Sequence, residues 1–514
     1  MAGIAFHGGR ILTMDVPAEA DVVVTEDDRV VAVGGTDLLD RHPDSTRVDL
    51  AGRTLAPGFI DAHNHLSISA LLPRWRDVST VTDREGLVAA IRDQARAEPD
   101  VAWVRCADWD ESLTGFVPGR HDLDAAGLDR PVIVTHYSLH QAVVSTAALE
   151  ALGIGRETTD PPGGEIGREA DGTPDGLLLE RAWSEAHARS LEPYADPDRW
   201  AEHIAARART LLAYGITAVH DAACSPAAER VYEAMARAGE MPVSVLMLPH
   251  SASLLSNDPG GRLDGPVTGE GSEWCRVGPV KLFADGGVAI GLDTRIGGLP
   301  VQLGMVMDDL ASRARDAVAR GFGVGVHAIG NLGVEAALDA FEALRDAHAD
   351  APRLRLEHAG VTSAGQWRRT AALDVVAVVQ PGFVEHVGRQ SGGVTFDEHH
   401  WLAFAGLAEA GVTLAGSSDD PCAPAAPLWC AHRGVTRRTD AGILLERDQS
   451  VPLDDWLRAY TIGAAVAGGQ VGERGALVPG ARADLVVLDL EVAEDGRVDE
   501  TWVAGRRVFR REPG

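Results

Sequence analysis

Eight short apolar runs recur between residues 58 and 421, and this repeat constrains the fold more than any other feature of the chain. Amphipathic segments over 308–320 and 333–347 separate the later runs and are typical of helices. Runs that are apolar at nearly every position suit parallel strands buried on both faces. Eight such repeats are the number that closes a (β/α)8 TIM barrel, which is the predicted α/β fold. The runs are 58–66, 215–221, 242–249, 277–287, 323–330, 353–361, 375–383 and 412–421.

The two ends of the chain share a different pattern, in which short alternating apolar and polar runs are separated by turn residues. Neither end has enough apolar residues to form a core alone. We therefore expect both to pair in one small β-sandwich domain, built from 1–56 and 473–514. The barrel then occupies 57–472. The stretch of about 67–210 does not follow the barrel rhythm and is predicted to be a large insertion after the first strand.

The charge balance disfavours several classes of partner. The chain has 76 acidic residues against 47 basic ones, a formal net charge of −29, so it repels nucleic acid and anionic lipid. We find no signal-peptide pattern in the first residues and no apolar run of ~18 residues that would span a membrane. The five cysteines are scattered without a C-x-x-C motif, which is typical of reduced thiols. We therefore expect a cytoplasmic protein that acts on a small molecule.

Side chains that can bind a metal stand at the ends of the first, fourth, fifth, sixth and eighth runs. The carboxyl ends of barrel strands meet on one face, where the active sites of such barrels lie. His63 and His65 are two residues apart, and this spacing puts both imidazoles on one side of a strand, where they can share a metal ion. A single histidine at a strand end is more often hydrogen-bonded than metal-bound, but the whole set predicts a metal site. Its members are His63, His65, Lys281, His327, His358 and Asp419.

Several motifs along nearly the whole chain resemble those of the amidohydrolase superfamily, within it the amidohydrolase-3 group that includes N-substituted formamide deformylases. The first strand carries "APGFIDAHNHL", and the inserted region carries "PPGGEIGREADGTPDGLLLERA" over 161–182. The later strands carry "VKLFADG", "VGVHAIGN", "LRLEHAG" and "GSSDDP", and the closing segment reads "LVPGARADLVVLD". The agreement of several motifs in order makes a chance resemblance improbable.

The resemblance implies a centre of two divalent metal ions, most often zinc. In that family, the two histidines of the first strand, here His63 and His65, hold one metal. The histidines of the fifth and sixth strands, here His327 and His358, hold the other. The lysine of the fourth strand, here Lys281, is commonly carboxylated by CO2, and its carbamate bridges both metals.

Lys281 is the only lysine among the 47 lysine and arginine residues. Every other basic side chain is an arginine, which suggests that this position requires an amine. An ammonium group is a donor-only cation and would repel a metal ion. A carbamate is instead an anion with two oxygen donors, which suits two cations about 3.5–4 Å apart. Arginine cannot replace it, because the guanidinium group stays protonated. The alternative is a lysine that merely forms a salt bridge, which its apolar flanks Val280 and Leu282 disfavour.

The eighth run ends in "SSDDP" over 417–421, where the family pattern is Gly-Ser-Asp-x-Pro. Alignment on the proline selects Asp419 as the aspartate that binds the first metal and transfers the proton, and Asp420 remains a lesser candidate. This role is that of a general base and then a general acid. Asp285, two pleats beyond Lys281, either orients a metal ligand or caps the following turn.

Four residues are candidates for contact with the substrate. His140 matches a histidine of the inserted region in the related group, although Ser145 and Thr146 stand near the position of the usual asparagine. Trp109, Phe383 and His386 lie in predicted loops that could line a pocket. Aromatic residues in such loops pack a lid more often than they recognise a substrate.

These residues predict a hydrolase that cleaves a carbon–nitrogen bond in an amide, formamide or cyclic amide, using a hydroxide activated by the metals. A deaminase or an ester or lactone hydrolase with the same site is an alternative. A mononuclear deaminase places a glutamate after the fifth strand, where only Glu335 is available, well along the helix. A catalytically silent regulatory or binding homologue is the other alternative, although all six candidate ligands are present. Barrels of this kind often dimerise, so a homodimer is a further expectation.

Overall fold

The structure is a computed structural model, and it describes residues 3–194, 196–250, 262–348, 353–491 and 496–512. Strands and helices alternate through these residues in a mixed α/β fold. Within the described ranges, no helix is both long and apolar enough to cross a membrane. Most buried apolar side chains belong to one large cluster, with smaller clusters under the sheets described next.

Both ends of the chain contribute to one eight-stranded sheet, which we call the terminal sheet. Its two halves meet where Thr54–Pro57 pairs antiparallel with Leu485–Asp489. Phe6 and Trp502 pack edge to face from opposite ends of the sequence, with ring centroids 5.2 Å apart. The strands are Ile4–Leu12, Glu19–Glu26, Arg29–Gly34, Thr46–Asp49, Thr54–Pro57, Leu485–Asp489, Arg497–Val503 and Arg506–Arg510.

A six-stranded sheet, the insertion sheet, lies between the first and second barrel-type strands of the sequence. Its strand Pro174–Glu180 alternates strictly between buried and half-buried positions, as expected for a sheet with one face on a core. Leu87, Ile91 and Leu123 belong to the core cluster of this sheet. The strands are Arg76–Asp77, Val104–Trp109, Val132–His136, Gln141–Val144, Gly164–Arg168 and Pro174–Glu180.

Two parallel sheets carry the strands that the eight apolar runs predict. The first parallel sheet has the order Cys275–Val277, Ser244–Pro249, Ile216–Cys224, Phe59–Asn64. The second has the order Val280–Phe283, Val324–Ala328, Leu354–His358, Val376–Val379, Leu414–Gly416. Single bridges join the edges of the two sheets, one between Asn64 and Asp420 and one between His250 and Lys281.

The fourth predicted strand differs from the prediction, because the structure divides it into Cys275–Val277 and Val280–Phe283. The break falls at Gly278 and Pro279, and proline has no N–H to donate to a sheet. The first piece pairs with Ser244–Pro249 in one parallel sheet, and the second pairs with Val324–Ala328 in the other. The break is therefore the point where the chain passes from one parallel sheet to the other.

The helices cover the connections between these strands. The longest, Pro197–Ala213 and Asn331–Ala347, begin at Asp196 and Gly330. The α-helices are Leu38–Arg41, Leu66–Ser69, Arg84–Ala97, Glu111–Thr114, Arg120–Asp124, Thr146–Leu152, Arg181–Leu191, Pro197–Ala213, Pro226–Ala238, Leu310–Ala319, Asn331–Ala347, Ala364–Ala372, Phe383–Ser391, Phe404–Glu409, Pro427–Thr436, Leu453–Arg458 and Ala464–Ala467. Two short antiparallel pairs complete the strands: the hairpin of Leu292–Ile296 with Leu299–Leu303, and the pairing of Val361–Thr362 with the distant His400–Trp401.

The packing of Pro427–Thr436 on Leu453–Arg458 depends on a glycine. A Cβ at Gly434 would lie 2.4 Å from the indole of the fully buried Trp456. We expect Gly434→Ala to lower the free energy of unfolding by about 1–3 kcal/mol, because the core must shift to make room.

Gly365→Ala is the matched control, since Gly365 also lies in a helix and its Cβ would meet nothing closer than 3.7 Å. Alanine has the higher helix propensity, so this variant should be neutral or gain up to about 1 kcal/mol. The midpoint of thermal unfolding at one scan rate compares the two variants. A Gly434→Ala midpoint at or above that of the unsubstituted protein would contradict the packing described.

Candidate metal centre and active site

The structure brings all six predicted metal ligands to one place at the ends of the parallel strands. Single ligand atoms of His63, His65 and Asp419 lie within 4.8 Å of one another. The ring centroid of His358 is 4.8 Å from that of His63 and 4.6 Å from that of His327. All six side chains are buried and line one small cavity. The convergence follows from the parallel strands, whose carboxyl ends share one edge.

The two histidines of the first strand each use Nδ1 to contact a protein oxygen outside the set of six candidate ligands. His63 Nδ1 lies 2.7 Å from the carboxylate of Glu357, and His65 Nδ1 lies 2.9 Å from the carbonyl oxygen of Ala222. Both partners are acceptors, so Nδ1 carries the proton and donates it. Nε2 of each ring is left with a lone pair that faces the cavity, as in a metal ligand oriented by a protein oxygen.

The histidines of the fifth and sixth strands follow the same rule. His358 Nδ1 donates to the side-chain oxygen of Gln380 over 2.9 Å, which leaves Nε2. His327 contacts the carbonyl oxygen of Gly286 through Nε2 over 3.2 Å, which leaves Nδ1. Each of the four rings therefore keeps one nitrogen for a ligand.

The contacts of Asp419 test whether this cluster fits a metal ion. Its Oδ1 lies 3.0 Å from His65 Nε2 and 3.3 Å from His63 Nε2. With both Nδ1 atoms protonated and both rings neutral, these three atoms are all acceptors, and such a group needs a positive charge between them. A metal ion supplies that charge, and so does a proton on His65 Nε2, because the hydrogen bond and charge of Asp419 outweigh burial and raise the pKa of His65. Two imidazoles and a carboxylate are a donor set that suits zinc and similar divalent ions. The residues present therefore fit the metal that the sequence predicts.

Burial sets the charge of the imidazoles. It lowers the pKa of His63, His327 and His358 well below the ordinary value, and the nearby Lys281 lowers each of them further. These three rings are therefore neutral near pH 7. A neutral imidazole is the form that binds a metal ion.

Lys281 lies inside the cluster, with Nζ 3.4 Å from His63 Nε2 and 5.1 Å from the centre of the Phe283 ring. Burial lowers the pKa of this amine to about 8, although the carboxylates of Glu357 and Asp419 oppose the change. The lower pKa increases the fraction of neutral amine near pH 7. The neutral amine is the nucleophilic form.

Two of the six residues have a strained backbone. His358 has φ 74° and Asp419 has φ 61°, in the left-handed region that favours glycine. Such conformations cost about 1–3 kcal/mol each and persist where the surroundings hold them in place, often at functional sites. Here a backbone hydrogen bond from Asp419 N–H to the carbonyl of His63 joins the ends of the first and eighth strands.

The structure separates the roles of the two neighbouring aspartates. Asp419 faces the cavity, whereas Asp420 forms an ion pair with the partly exposed Arg207 and lines neither cavity described here. Asp285 takes the second of its two predicted roles, because its carboxylate accepts the backbone N–H groups of Gly291, Ile329 and Gly330. Asp285 therefore holds together the loops behind His327.

A buried ion pair that the sequence reading missed supports the first strand. Glu357 accepts two hydrogen bonds from Arg355 and one from His63, and neither charged side chain is exposed. Arg355 also donates to the carbonyl oxygen of Ala62. The available signal was the pair of charged residues two positions apart inside the apolar run "LRLEH", since that spacing places both on one face. Gln380, which orients His358, could have been found only from its place as a polar residue at the end of the seventh apolar run, and this is a weaker signal.

A larger cavity of about 550 Å³ opens beside the cluster and is the candidate substrate pocket. Three of the four predicted substrate-binding residues line it: His140, Phe383 and His386. Phe383 stacks parallel to the ring of His358, with centroids 6.0 Å apart. His386 stacks on Tyr137 with centroids 4.7 Å apart, and burial lowers its pKa to about 4.

Trp109 is the exception and corrects the sequence prediction. It is buried in the core of the insertion sheet and is not among the described residues that line either cavity. Its ring packs on His136, and its indole N–H donates to the carbonyl oxygen of Phe116. The residue ends a strand, which carries it under the sheet and away from the loops above the pocket. Trp401 lines the cavity instead.

Comparison with known proteins gives a consistent result. The sequence model of the amidohydrolase family matches residues 46–509. The N-substituted formamide deformylase of Arthrobacter pascens is 34% identical over 482 residues, which cover 89% of this chain and 88% of that protein. The putative amidohydrolase YtcJ of Bacillus subtilis is 29% identical over 517 residues, which cover 94% and 93%.

Solved structures are similar in fold. A metal-dependent hydrolase from Pyrococcus horikoshii superposes with a TM-score of 0.73 at 24% identity, covering 96% of this chain and 99% of that one. N-isopropylammelide isopropylaminohydrolase from Burkholderia multivorans gives a TM-score of 0.52 at 16% identity, covering 99% of both chains. The matches indicate a TIM-barrel-like α/β fold.

The orientation of His358 by Gln380 can be tested through metal affinity. Gln380→Met keeps the size of the side chain and removes the acceptor of the His358 Nδ1 proton. We expect it to weaken metal binding by about 10–100-fold, because partners of this kind fix the ligand nitrogen. The metal retained after dialysis against a graded series of chelator concentrations measures the change.

Gln94→Met is the control for that experiment. Gln94 is also buried and donates one hydrogen bond, to the carbonyl oxygen of Arg74, but it lies in the helix Arg84–Ala97 of the inserted region. Its metal affinity should equal that of the unsubstituted protein. Equal metal retention in all three proteins would refute the role given to Gln380.

Proposed function

Since this chain belongs to the amidohydrolase family, we propose that it hydrolyses a carbon–nitrogen bond other than a peptide bond, in an amide, a formamide or a cyclic amide. The observation that carries the proposal is the buried cluster in which four imidazoles each turn one ring nitrogen to a protein oxygen outside the cluster and keep the other for the cluster of Asp419 and Lys281. The adjoining cavity has room for a small molecule. The relative from Arthrobacter pascens suggests N-substituted formamides as the first substrates to test.

In this proposal the two parallel sheets form one closed (β/α)8 barrel. The bridges of Asn64 with Asp420 and of His250 with Lys281 join the sheets at both edges, which supports closure. The terminal sheet would be part of the composite β-sandwich domain proposed for residues 1–56 and 473–514. The insertion of about 67–210 contains the insertion sheet and supplies part of the wall of the substrate cavity.

The cluster would hold divalent metal, two zinc ions in the full proposal. When bound, the metal supplies Lewis acidity, which makes a water molecule nucleophilic at neutral pH and polarises the substrate carbonyl. The protein atoms that would hold it are the ring nitrogens that do not contact an oxygen outside the cluster, together with oxygens of Asp419 and of carboxylated Lys281. These nitrogens are Nε2 of His63, His65 and His358 and Nδ1 of His327.

Carboxylation of Lys281 has a physical basis in its surroundings. The neutral amine attacks the carbon of CO2: a nitrogen–carbon bond forms, one C=O π bond of CO2 breaks, and its electron pair becomes the charge of the new carboxylate. One N–H proton passes to solvent, so the neutral amine becomes a carbamate anion. The lowered pKa of about 8 favours the neutral amine that the reaction requires. The product is an anion among groups that bind cations, whereas an ammonium group there would repel a metal.

Asp419 is the group proposed to move the proton. Its carboxylate lies at the edge of both cavities, within reach of the cluster and of a bound substrate. It accepts a proton from the attacking water and delivers it to the leaving amine nitrogen, so that the amine departs as a neutral molecule. Phe383 and Trp401 line the larger cavity and shield the reacting groups from water.

The competing functions receive less support. Glu335, which the sequence offers as the acid–base group of a mononuclear deaminase, contacts Gln366 and Arg369 instead. It lines neither of the two cavities at the cluster. Retention of all six candidate ligands disfavours a silent binding homologue. Five buried free cysteines suit a reducing compartment, so the cytoplasm remains the proposed location. A homodimer also remains a prediction.

A screen of N-formyl, N-acyl and cyclic amides tests the function directly. The purified protein, loaded with zinc, should release the amine from at least one class. Release from none of them, by a protein whose metal content is full, would overturn the proposed activity.

Metal analysis of Lys281→Ala tests the proposed bridge. The unsubstituted protein should contain close to two metals per chain. Lys281→Ala should lose metal and activity, and short carboxylic acids should restore both in part, because they supply the missing bridging carboxylate. A single metal per chain, with an unmodified Lys281 in the intact mass, would refute the carbamate.

Asp419→Asn tests the proton transfer. We expect turnover to fall by about 10²–10⁴-fold or more, since positioned proton transfer contributes this range and a metal ligand is also altered. Asp420→Asn is the matched control and should cost much less, because Asp420 pairs with Arg207 outside the cavity. Turnover and metal content are measured for both variants. Full activity in Asp419→Asn would contradict the assignment.

A further inference from the structure

Glu180, at the end of the last strand of the insertion sheet, has an unusual backbone and an unusual position. Its φ is 52° and its ψ is −124°, a conformation that favours glycine, and its side chain is completely buried. A non-glycine residue keeps such a conformation only where its surroundings hold it there. The side chain of Glu180 therefore has a role that outweighs the strain.

Three N–H groups surround the carboxylate of Glu180. Its Oε1 accepts the backbone N–H groups of Val288 and Ala289 over 2.9 and 3.0 Å. Its Oε2 lies 2.7 Å from Nδ1 of His140. The two oxygens thus have separate tasks, because Oε1 fixes the carboxylate to the loop after the fourth strand and Oε2 holds the histidine.

His140 stands between the metal-ligand cluster and the substrate cavity and lines both cavities. Its ring centroid is 5.2 Å from that of His327. The ring lies directly on the backbone of Gly287, where a Cβ would come within 2.3 Å of it, and a Cβ at Gly286 would come equally close to Glu180. The two glycines of "ADGG" therefore allow this pair to approach the site.

The partners of His140 decide which nitrogen carries its proton. Nδ1 lies 2.7 Å from Oε2 of Glu180 and 3.1 Å from the backbone nitrogen of Gly287. The charged carboxylate is the closer and stronger partner, so Nδ1 carries the proton and donates it to Oε2. In this tautomer Nε2 is an acceptor, and it is the ring nitrogen left for a molecule in the cavity. A group that such an acceptor recognises is a donor, such as the N–H of an amide.

We propose that His140 Nε2 accepts the N–H of the substrate's scissile amide and that Glu180 is the positioning residue that maintains the required tautomer. This inference rests on the proposed function and narrows its substrates to amides that carry an N–H. Amides with two substituents on nitrogen, and esters, have no proton to donate and lose this hydrogen bond. An unpaired polar group in a buried site discriminates strongly between otherwise similar substrates.

Glu180→Gln should reverse the tautomer while keeping the shape of the side chain. The amide oxygen must replace Oε1, because only an oxygen accepts the N–H groups of Val288 and Ala289. The NH2 group then faces His140 Nδ1 and donates to it, as does the N–H of Gly287, which lies 3.1 Å away. Nδ1 becomes the acceptor, Nε2 carries the proton, and the ring presents a donor to the cavity.

The test compares an amide with its oxygen ester, N-(2-phenylethyl)formamide with 2-phenylethyl formate, both of which release formate. We expect Glu180→Gln and His140→Phe to lower the amide-to-ester ratio of kcat/KM by about 10-fold or more. If the activity screen finds that another acyl group is preferred to formyl, the amide and the ester used in this test are made with that acyl group. A fall of both substrates by the same factor, with an unchanged ratio, would overturn the proposal and leave the proposed function intact.

Failure of the proposed function gives a different result, because the unsubstituted, metal-loaded protein would then hydrolyse neither compound of any pair. A second measurement does not depend on activity. The nitrogen NMR signals of histidine-labelled protein report the tautomer, and His140→Phe identifies the signals of this ring by their loss. Protonated Nδ1 in the unsubstituted protein and protonated Nε2 in Glu180→Gln are expected. Protonation of the same nitrogen in both would refute the role of Glu180.

Glu446→Gln is the matched control. Glu446 is also a buried glutamate with a positive φ, and it holds His400 Nδ1 through Oε2 and the backbone N–H of Trp401 through Oε1. Neither Glu446 nor His400 lines the described cavities at the cluster. Glu446→Gln should leave the amide-to-ester ratio of kcat/KM unchanged. A fall in this ratio as large as that of Glu180→Gln would show that loss of any such glutamate acts through packing, and it would contradict the role given to Glu180.

Discussion

The candidate metal centre depends on one constraint: in each of the four histidines His63, His65, His327 and His358, one ring nitrogen donates a hydrogen bond to a protein oxygen outside the cluster. The oxygens come from different places: a carboxylate for His63, a side-chain amide for His358 and backbone carbonyls for His65 and His327. Because each ring has only one other nitrogen, its orientation and its proton are both determined. Oriented imidazoles around a buried carboxylate form a site that suits a cation, and burial keeps His63, His327 and His358 neutral near pH 7.

Because the cluster is buried, every charged group in it needs a partner of opposite charge or a hydrogen bond. The pair of Arg355 and Glu357 has no exposed surface, and a buried charge without its partner costs several kcal/mol. Each charge in the cluster is therefore matched by a neighbour, and the left-handed backbones of His358 and Asp419 add strain to the same place. The parallel sheets hold these positions, while the inserted region supplies His140 and Glu180 above them. The candidate metal ligands and the proposed substrate contact of His140 thus come from different parts of the chain.

The convergence of the six candidate metal ligands was predictable from sequence, because strand ends converge in any parallel barrel-type fold. Two signals were sufficient to predict which side chains meet there: the two-residue spacing of His63 and His65, and the isolated Lys281. The contacts that orient the imidazole rings were not predictable, since Ala222 and Gly286 act through backbone carbonyls, which any residue possesses. The burial of Trp109 depended on how the insertion sheet packs, and no local pattern near that residue indicates it.

Anomalous diffraction at the absorption edge of the bound metal tests the central claim most directly. The account predicts metal density bonded to Nε2 of His63, His65 and His358 and to Nδ1 of His327, with the other nitrogen of each ring still on its protein oxygen. Metal density bonded to the opposite nitrogens, or located away from these four rings, would contradict it.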